Sequence, residues 1–356
     1  MLGFSVFLTE DWSPEKEDYV KRMVDIGFEG VFTSLHIPED DVSRYKERLN
    51  SLLEIVKARK LKLMIDISGD ALEQIGLSLN NPKEIFESGI TGLRMDDGIH
   101  VETMANVSRY LTVGLNASTL TEADYEQLVA NEADFSNIEA WHNYYPRPDT
   151  GLDENWFDEK NTWLKNKRLK IAAFAPGDGR LRLPLYETLP TLEIHRCQNP
   201  FSSSLSLMQD YMIDDVYIGD PGLTNKTSQQ FAEYLQHKIL LMHATSVHRK
   251  WDSYIYKDHQ NRLDVARDVI RSAHSRAAHK NDTIQPENTV LRKKGSITID
   301  NNRYKRYKGE LQVVKQELSP DEKVNVIGQI VYKDLPLLDF IQGGMTFKIT
   351  DNKEAT

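Results

Sequence analysis

The sequence predicts an α/β protein: an N-terminal (β/α)8 TIM barrel followed by a smaller β-rich domain. Three observations carry this. Short apolar runs alternate with amphipathic stretches eight times over roughly 240 residues, the number and length of a (β/α)8 barrel. No Gly-x-Gly-x-x-Gly follows any predicted strand, which counts against a doubly wound open sheet. Beyond about Leu241 the alternation gives way to strand-like runs separated by turn residues, over about 110 residues. The expected domains are therefore 1–241 and 242–356.

The strands are read in order. Gly3 to Leu8 is the first, and Ser13-Pro14-Glu15-Lys16 opens a helix with Ser13 as N-cap and Pro14 at its first position. Gly30 to Leu35 is the second strand, followed by a helix from about Glu39 to Arg59. Leu61 to Ile67, Ile90 to Met95 and Tyr110 to Leu115 follow as strands, and Thr121 caps the next helix. Asn137 to Trp141 and Leu169 to Phe174 are the sixth and seventh strands, with a helix near Glu154 to Lys165 between them. For the eighth, Asp215 to Gly219 is preferred over Thr191 to His195, because an amphipathic helix follows directly, about Ser228 to Leu241. Thr191 to His195 then belongs to a long excursion after strand seven. In the second domain, His243 to His259 is mixed, with Trp251, Tyr254 and Tyr256 suggesting a strand. Asn261 to His279 reads as a basic amphipathic helix. Ser296 to Ile299, Glu310 to Lys315, Val324 to Tyr332 and Met345 to Ile349 read as strands.

Composition narrows the partners. The chain has 356 residues, 40% hydrophobic and 28% charged, with a formal net charge of −10. That balance argues against nucleic acid or an anionic membrane as a partner, though local arginines still allow an anionic small molecule. The single cysteine, Cys197, permits no intrachain disulfide. The apolar start lacks a basic segment and meets Glu10 and Asp11 early, so no signal peptide is read and a cytoplasmic location is expected.

A (β/α)8 barrel carries its active site at the C-terminal ends of the strands. There the sequence places His36, Asp66, the pair Asp96-Asp97, Asn116, the run His142-Asn143-Tyr144-Tyr145-Pro146-Arg147, Arg182, and Gly219-Asp220-Pro221-Gly222. Carboxylates, amides, aromatics and arginines at one mouth suit a sugar. Absence of a strand-end lysine argues against a Schiff-base aldolase. Asp96-Asp97 closes an apolar strand. Adjacent acids repel, which favours one protonated and one ionised, although a helix-capping turn is the simpler reading of the pair alone. The Gly219–Gly222 loop, with Arg180, Arg182 and Arg196 in the preceding excursion, is a candidate phosphate site. His36, Asp66, His142, Glu193 and His195 offer a minority reading as divalent-metal ligands, but no zinc spacing is present. No cofactor is implied.

Longer motifs then carry a resemblance. His142-Asn143-Tyr144-Tyr145-Pro146-Arg147-Pro148-Asp149-Thr150-Gly151-Leu152, Leu189-Pro190-Thr191-Leu192-Glu193-Ile194-His195-Arg196 and Val216-Tyr217-Ile218-Gly219-Asp220-Pro221 resemble the bacterial 6-phospho-N-acetylmuramidase family. So do Gly295-Ser296-Ile297-Thr298-Ile299-Asp300-Asn301 and Tyr304-Lys305-Arg306-Tyr307-Lys308-Gly309-Glu310-Leu311. The resemblance implies a TIM barrel with a cyclophilin-like C-terminal domain. It implies a glycosidase acting on the β-1,4 bond of a phosphorylated amino-sugar disaccharide, N-acetylmuramic acid 6-phosphate–N-acetylglucosamine, during cytoplasmic recycling of cell-wall fragments.

With that substrate, the 2-acetamido oxygen can attack C1, while Asp96 and Asp97 orient the amide and protonate the leaving oxygen. The rival scheme is double displacement by a strand-four Asp with Glu193. In either scheme Arg182, Arg196 and the loop Gly219, Asp220 and Gly222 hold the phosphate. Asn116, His142 and Tyr145 contact the sugar, with His36, Asp66, Asn143, Arg147 and His195 as further binding candidates. A metal-dependent sugar-phosphate isomerase or epimerase and a non-catalytic sugar-phosphate-binding protein are the alternatives. A homo-oligomer is left open.

Overall fold

The computed structural model describes residues 1–35, 44–67, 72–95 and 98–353. Contacts divide the chain into two compact units, Met1–Thr224 and Asn225–Thr356.

The first unit is a closed barrel of eight parallel strands in sequential order. They are β1 (Leu2–Ser5), β2 (Gly30–Ser34), β3 (Lys62–Ile67), β4 (Gly92–Met95), β5 (Thr112–Asn116), β6 (Ile138–Trp141), β7 (Lys170–Ala175) and β8 (Asp215–Ile218). Closure comes from β1 against β8, with Leu2 opposite Val216 and Phe4 opposite Ile218. Helices α1 (Pro14–Ile26) to α7 (Pro200–Asp210) follow the first seven strands in turn. Their starts obey local chemistry. The Ser13 hydroxyl accepts from the Lys16 N–H, with Pro14 in the first turn. Thr121 and Asp124 form a reciprocal capping box on α5 (Glu122–Ala130). Gly27 ends α1 at φ 118°, a left-handed conformation natural to glycine.

The barrel interior is filled, not hollow. Phe32, Met64, Trp141, Ala172, Phe174 and Tyr217 form one buried cluster. Space for the two largest rings comes from glycine. A Cβ on Gly3 would sit 2.2 Å from the Tyr217 ring, and one on Gly114 2.9 Å from the Trp141 indole. Side chains on a strand alternate between faces. From the inward residues Phe32, Met64, Gly92, Gly114 and Trp141, two steps onward lead to Ser34, Asp66, Arg94, Asn116 and Asn143 at the mouth.

The second unit holds helix α8 (Asn225–His237) and a seven-stranded sheet ordered β10-β15-β9-β14-β12-β13-β11. Its strands are β9 (Leu240–Ser246), β10 (Asp258–Gln260), β11 (Val269–Arg271), β12 (Ser296–Asp300), β13 (Leu311–Val314), β14 (Val324–Ile330) and β15 (Thr346–Asp351). Pairing is antiparallel except for β15 with β9. Helix α8 groups with this sheet, Gln230 donating to the Leu241 carbonyl and to Asp334. Leu240 and Leu241, read from sequence as the end of a helix, begin β9.

Two further expectations fail here. The segment 261–279 is not one helix: Val269–Arg271 pairs with β13, and only Ser275–Ala278 is helical. Leu263, 86% exposed, and Val265 bury no apolar stripe, so sheet pairing outweighs the helical pattern. The strand expected around Trp251 is a 3-10 turn, Arg249–Trp251, running into a short helix, Asp252–Ile255. Among the described residues, no helix is long and apolar enough to cross a membrane.

Candidate active site

At the barrel mouth the inward row forms a polar network. Arg94 donates to Asp66 Oδ1 at 2.6 Å and, through its other terminal nitrogen, to the Asn143 side-chain oxygen. The Ser34 hydroxyl donates to Asp66 Oδ2 at 3.1 Å. Strands β2, β3 and β4 and the loop after β6 are thereby joined at one point. The Arg94 side chain is only 4% exposed and that of Asp66 18%, so this charge pair sits largely out of water. Asp66 and Asn143 are thus brought together as the sequence suggested. Arg94 was not foreseen, although strand parity with Asp66 was the available signal.

Beside the network lies an aromatic floor. Tyr144 packs edge-on against Phe7, Phe32 and Phe174, with ring centroids 6.5, 6.2 and 5.2 Å away. Arg182 donates to the Tyr144 hydroxyl at 2.6 Å, and its guanidinium lies 4.6 Å from the Phe7 ring centre. Burial raises the pKa of the Tyr144 phenol, which keeps it a neutral hydrogen-bonding group. Asn116 lies at the end of β5 and accepts from the Ser118 N–H at 3.1 Å.

Glu193 lies in a 3-10 turn, Glu193–His195. It is held on both carboxylate oxygens by its neighbours. Arg196 donates to them from Nε and Nη2, at 2.6 and 2.8 Å, and the backbone N–H groups of Asp149 and Gly151 add two more bonds. Arg196, with help from those amides and against some burial, holds the carboxyl down at about 2. This suits a structural clamp, not a proton donor.

Arg196 is similarly occupied. Its remaining donors reach the carbonyls of Thr188, Tyr145 and Arg147, so it fixes the loops after β6 and β7 instead of presenting a free cation. The same two loops are zipped by a parallel bridge between Leu152 and Leu192. Tyr145 and Arg147 lie on the clamped loop; Arg147 is exposed, and its carbonyl also accepts from Thr150.

His142 points away from the mouth. Trp141 takes the inward position, so His142 turns outward, its Nε2 2.8 Å from the Asn161 oxygen on α6 (Glu154–Asn166) and its ring against Phe157. Burial pushes its pKa down to about 3. His195 is buried in the excursion after β7, and burial lowers it to about 4. Among the described residues, no three His, Cys, Asp or Glu side chains are grouped to hold a metal.

The Gly219–Gly222 loop is packed against protein. A Cβ on Gly219 would lie 2.2 Å from the Leu189 carbonyl, and one on Gly222 2.6 Å from the Arg180 nitrogen. The Gly219 N–H donates to the Ala175 carbonyl, and carboxylates hold amides around the loop. Asp220 accepts from Gly177 and Leu189, and Asp178 from the Thr224 N–H and hydroxyl. Burial pushes Asp220 up to about 6. His36, Asp96 and Asp97 lie outside the described residues.

A family described as 6-phospho-N-acetylmuramidase matches in two parts, its N-terminal region over residues 2–233 and its C-terminal region over 239–350. A crystal structure of a conserved Enterococcus faecalis protein of unknown function is 46% identical, with a TM-score of 0.92 over 99% of this chain and 97% of that one. An uncharacterised B. cereus protein is 24% identical, with a TM-score of 0.73 over 98% of this chain and 99% of the other. No curated protein matches the chain. With both family regions matched in order across nearly its whole length, the chain belongs to the 6-phospho-N-acetylmuramidase family of glycosidases.

Proposed function

We propose that this protein hydrolyses the β-1,4 bond between N-acetylmuramic acid 6-phosphate and N-acetylglucosamine. The observation that carries the reading is the polar row Ser34, Asp66, Arg94 and Asn143 beside an aromatic floor at the barrel mouth. Aromatic rings offer apolar surface to the C–H face of a pyranose, while the fixed polar row meets its hydroxyls and amide. In this reading the second unit is a cyclophilin-like domain, and the reaction serves cytoplasmic recycling of cell-wall fragments.

The chemistry uses the substrate's own acetamido group. Its carbonyl oxygen attacks C1 as the bond to the leaving oxygen breaks, forming an oxazoline; water then attacks C1, giving one proton to the carboxylate left by the acid while the ring nitrogen recovers its own, and the acetamide is restored. One carboxylate orients the acetamide and takes its proton, and a carboxylic acid protonates the leaving oxygen. Asp96 and Asp97, directly after Met95 at the end of β4, are proposed for these tasks. Asp96, the first of the pair after the strand, is the first choice. The engagement of both Glu193 oxygens with Arg196 and two amides favours this scheme over double displacement through Glu193.

The test incubates purified protein with the phosphorylated disaccharide and follows N-acetylglucosamine release by mass spectrometry. Release at catalytic rates is expected. Tight binding without release refutes hydrolysis. Full activity in Asp96→Asn refutes the strand-four mechanism.

A further inference from the structure

With Arg196 clamped, the Gly219 amide bonded to the Ala175 carbonyl and Gly219 and Gly222 packed closely against Leu189 and Arg180, the phosphate expected on the substrate needs a seat beside that loop and not within it. We propose that it binds in a cleft beside the mouth, between the first turns of α1 (Pro14–Ile26) and the loops after β1, β7 and β8, where Lys16, Arg22, Arg180 and Arg182 converge. This rests on the proposed function and names the part of the site that selects phosphorylated substrate.

The cleft has a volume of about 260 Å³. Its lining carries those four cations against two carboxylates, Glu10 and Glu15, in a chain whose net charge is −10. Charge of this sign, concentrated at one concavity, suits a dianion better than a neutral sugar. Loops after strands seven and eight are also the customary phosphate position in this barrel class.

The cations are not all satisfied by the protein. Among the described residues, Arg22 has no carboxylate partner; its guanidinium lies 5.7 Å from the Tyr19 ring centre. Arg180 reaches Glu10 through one terminal nitrogen alone, a contact exposed enough for a phosphate to displace. Lys16 Nζ donates to the carbonyls of Phe7 and Glu10. Tyr19, which also lines the cleft, has a buried hydroxyl without a hydrogen-bond partner among the described residues, an unmet polar group of the kind a ligand satisfies.

Arg182 connects the two places. It and Phe7 line the cleft, while its Nη1 bonds Tyr144 on the aromatic floor. A pyranose on that floor can therefore extend its C6 substituent past Phe7 into the cleft. Arg182 marks the boundary between sugar and phosphate.

The test is calorimetric titration with N-acetylmuramic acid 6-phosphate and with N-acetylmuramic acid, which retains the lactyl carboxylate but lacks phosphate. Wild type is expected to favour the phosphorylated sugar at least a hundredfold. Arg22→Ala and Arg180→Ala should each reduce that preference by about 10- to 100-fold, the effect of losing one charge-assisted hydrogen bond. Arg180→Lys should recover part of it, which a merely misfolded variant would not. A preference unchanged in both alanine variants overturns the assignment, as does a wild type indifferent to the phosphate. Disaccharide turnover is scored separately. Turnover with an unchanged binding preference in the variants rejects the cleft alone. Phosphate-dependent binding lost in the variants, with no turnover in wild type, supports the cleft and rejects the hydrolase reading.

Discussion

Replacing Asp66 by alanine removes one carboxylate partner of a guanidinium that is 4% exposed. The carboxylate oxygen lies 2.6 Å from Arg94 Nη1, with the opposite oxygen accepting from Ser34. Charges about 4 Å apart attract by about 4 kcal/mol at an effective dielectric constant near 20. Asn143 remains to accept from Arg94, but it supplies a dipole where a charge was lost. The expected cost is about 3 kcal/mol, the lower end of the range for removing one partner of a buried ion pair. Arg94→Met should cost about 2 kcal/mol, because Asp66 at 18% exposure keeps more access to water. The double variant should cost about 2 kcal/mol less than the sum, since the Asp66–Arg94 interaction is lost only once. Urea denaturation followed by tryptophan fluorescence, to which Trp141 inside the barrel contributes, measures all three. A cost below about 1 kcal/mol for Asp66→Ala, or strict additivity in the double variant, would refute the account of a desolvated, mutually dependent pair.

Two further outcomes follow from the loops. Glu193→Gln should retain activity within about tenfold while amide exchange accelerates at 145–152 and 188–198. A loss beyond about a thousandfold with unchanged exchange would restore Glu193 as a catalytic acid. Burial pushes the Asp220 carboxyl from its ordinary value of about 4 up to about 6 in the folded protein. The folded form therefore holds its proton more tightly, and this group's favourable contribution, fully present below pH about 4, is lost as pH rises through about 6. The loss is about 2–3 kcal/mol. Asp220→Asn keeps an oxygen for the Gly177 and Leu189 amides and should flatten that slope in melting curves from pH 4 to 7. An unchanged slope places its origin elsewhere.

Much of the barrel was legible because its signals are local. Ser13 and Thr121 announce helices through contacts three residues long, and the polar ends of the strands follow from alternation. The Asp66–Asn143 association was foreseen only as shared membership of one rim; the guanidinium joining them was passed over although it occupies the inward parity. His142 was misread because no rule of composition says which of two adjacent residues, Trp141 or His142, turns inward. Packing space decides, and Gly114 supplies it for the indole. Arg196 and Glu193 looked like ligand groups because a charge in a motif does not disclose its partners. Those partners are backbone groups at Asp149, Gly151 and Thr188, whose approach depends on the folded loops. In the second unit, β11 formed where helical periodicity was read, since β13 offers Val269–Arg271 an edge that sequence spacing does not reveal.

The Glu193–Arg196 clamp also bears on how this site could be redesigned. Its bonds run to main-chain atoms of both the 145–151 segment and Thr188, and Leu152 meets Leu192 beside them. Neither loop can be transplanted or randomised alone without leaving the other unmoored. Altering the sugar preference by loop exchange would mean moving the two segments as a single graft, with Glu193 and Arg196 carried along as its internal fastening.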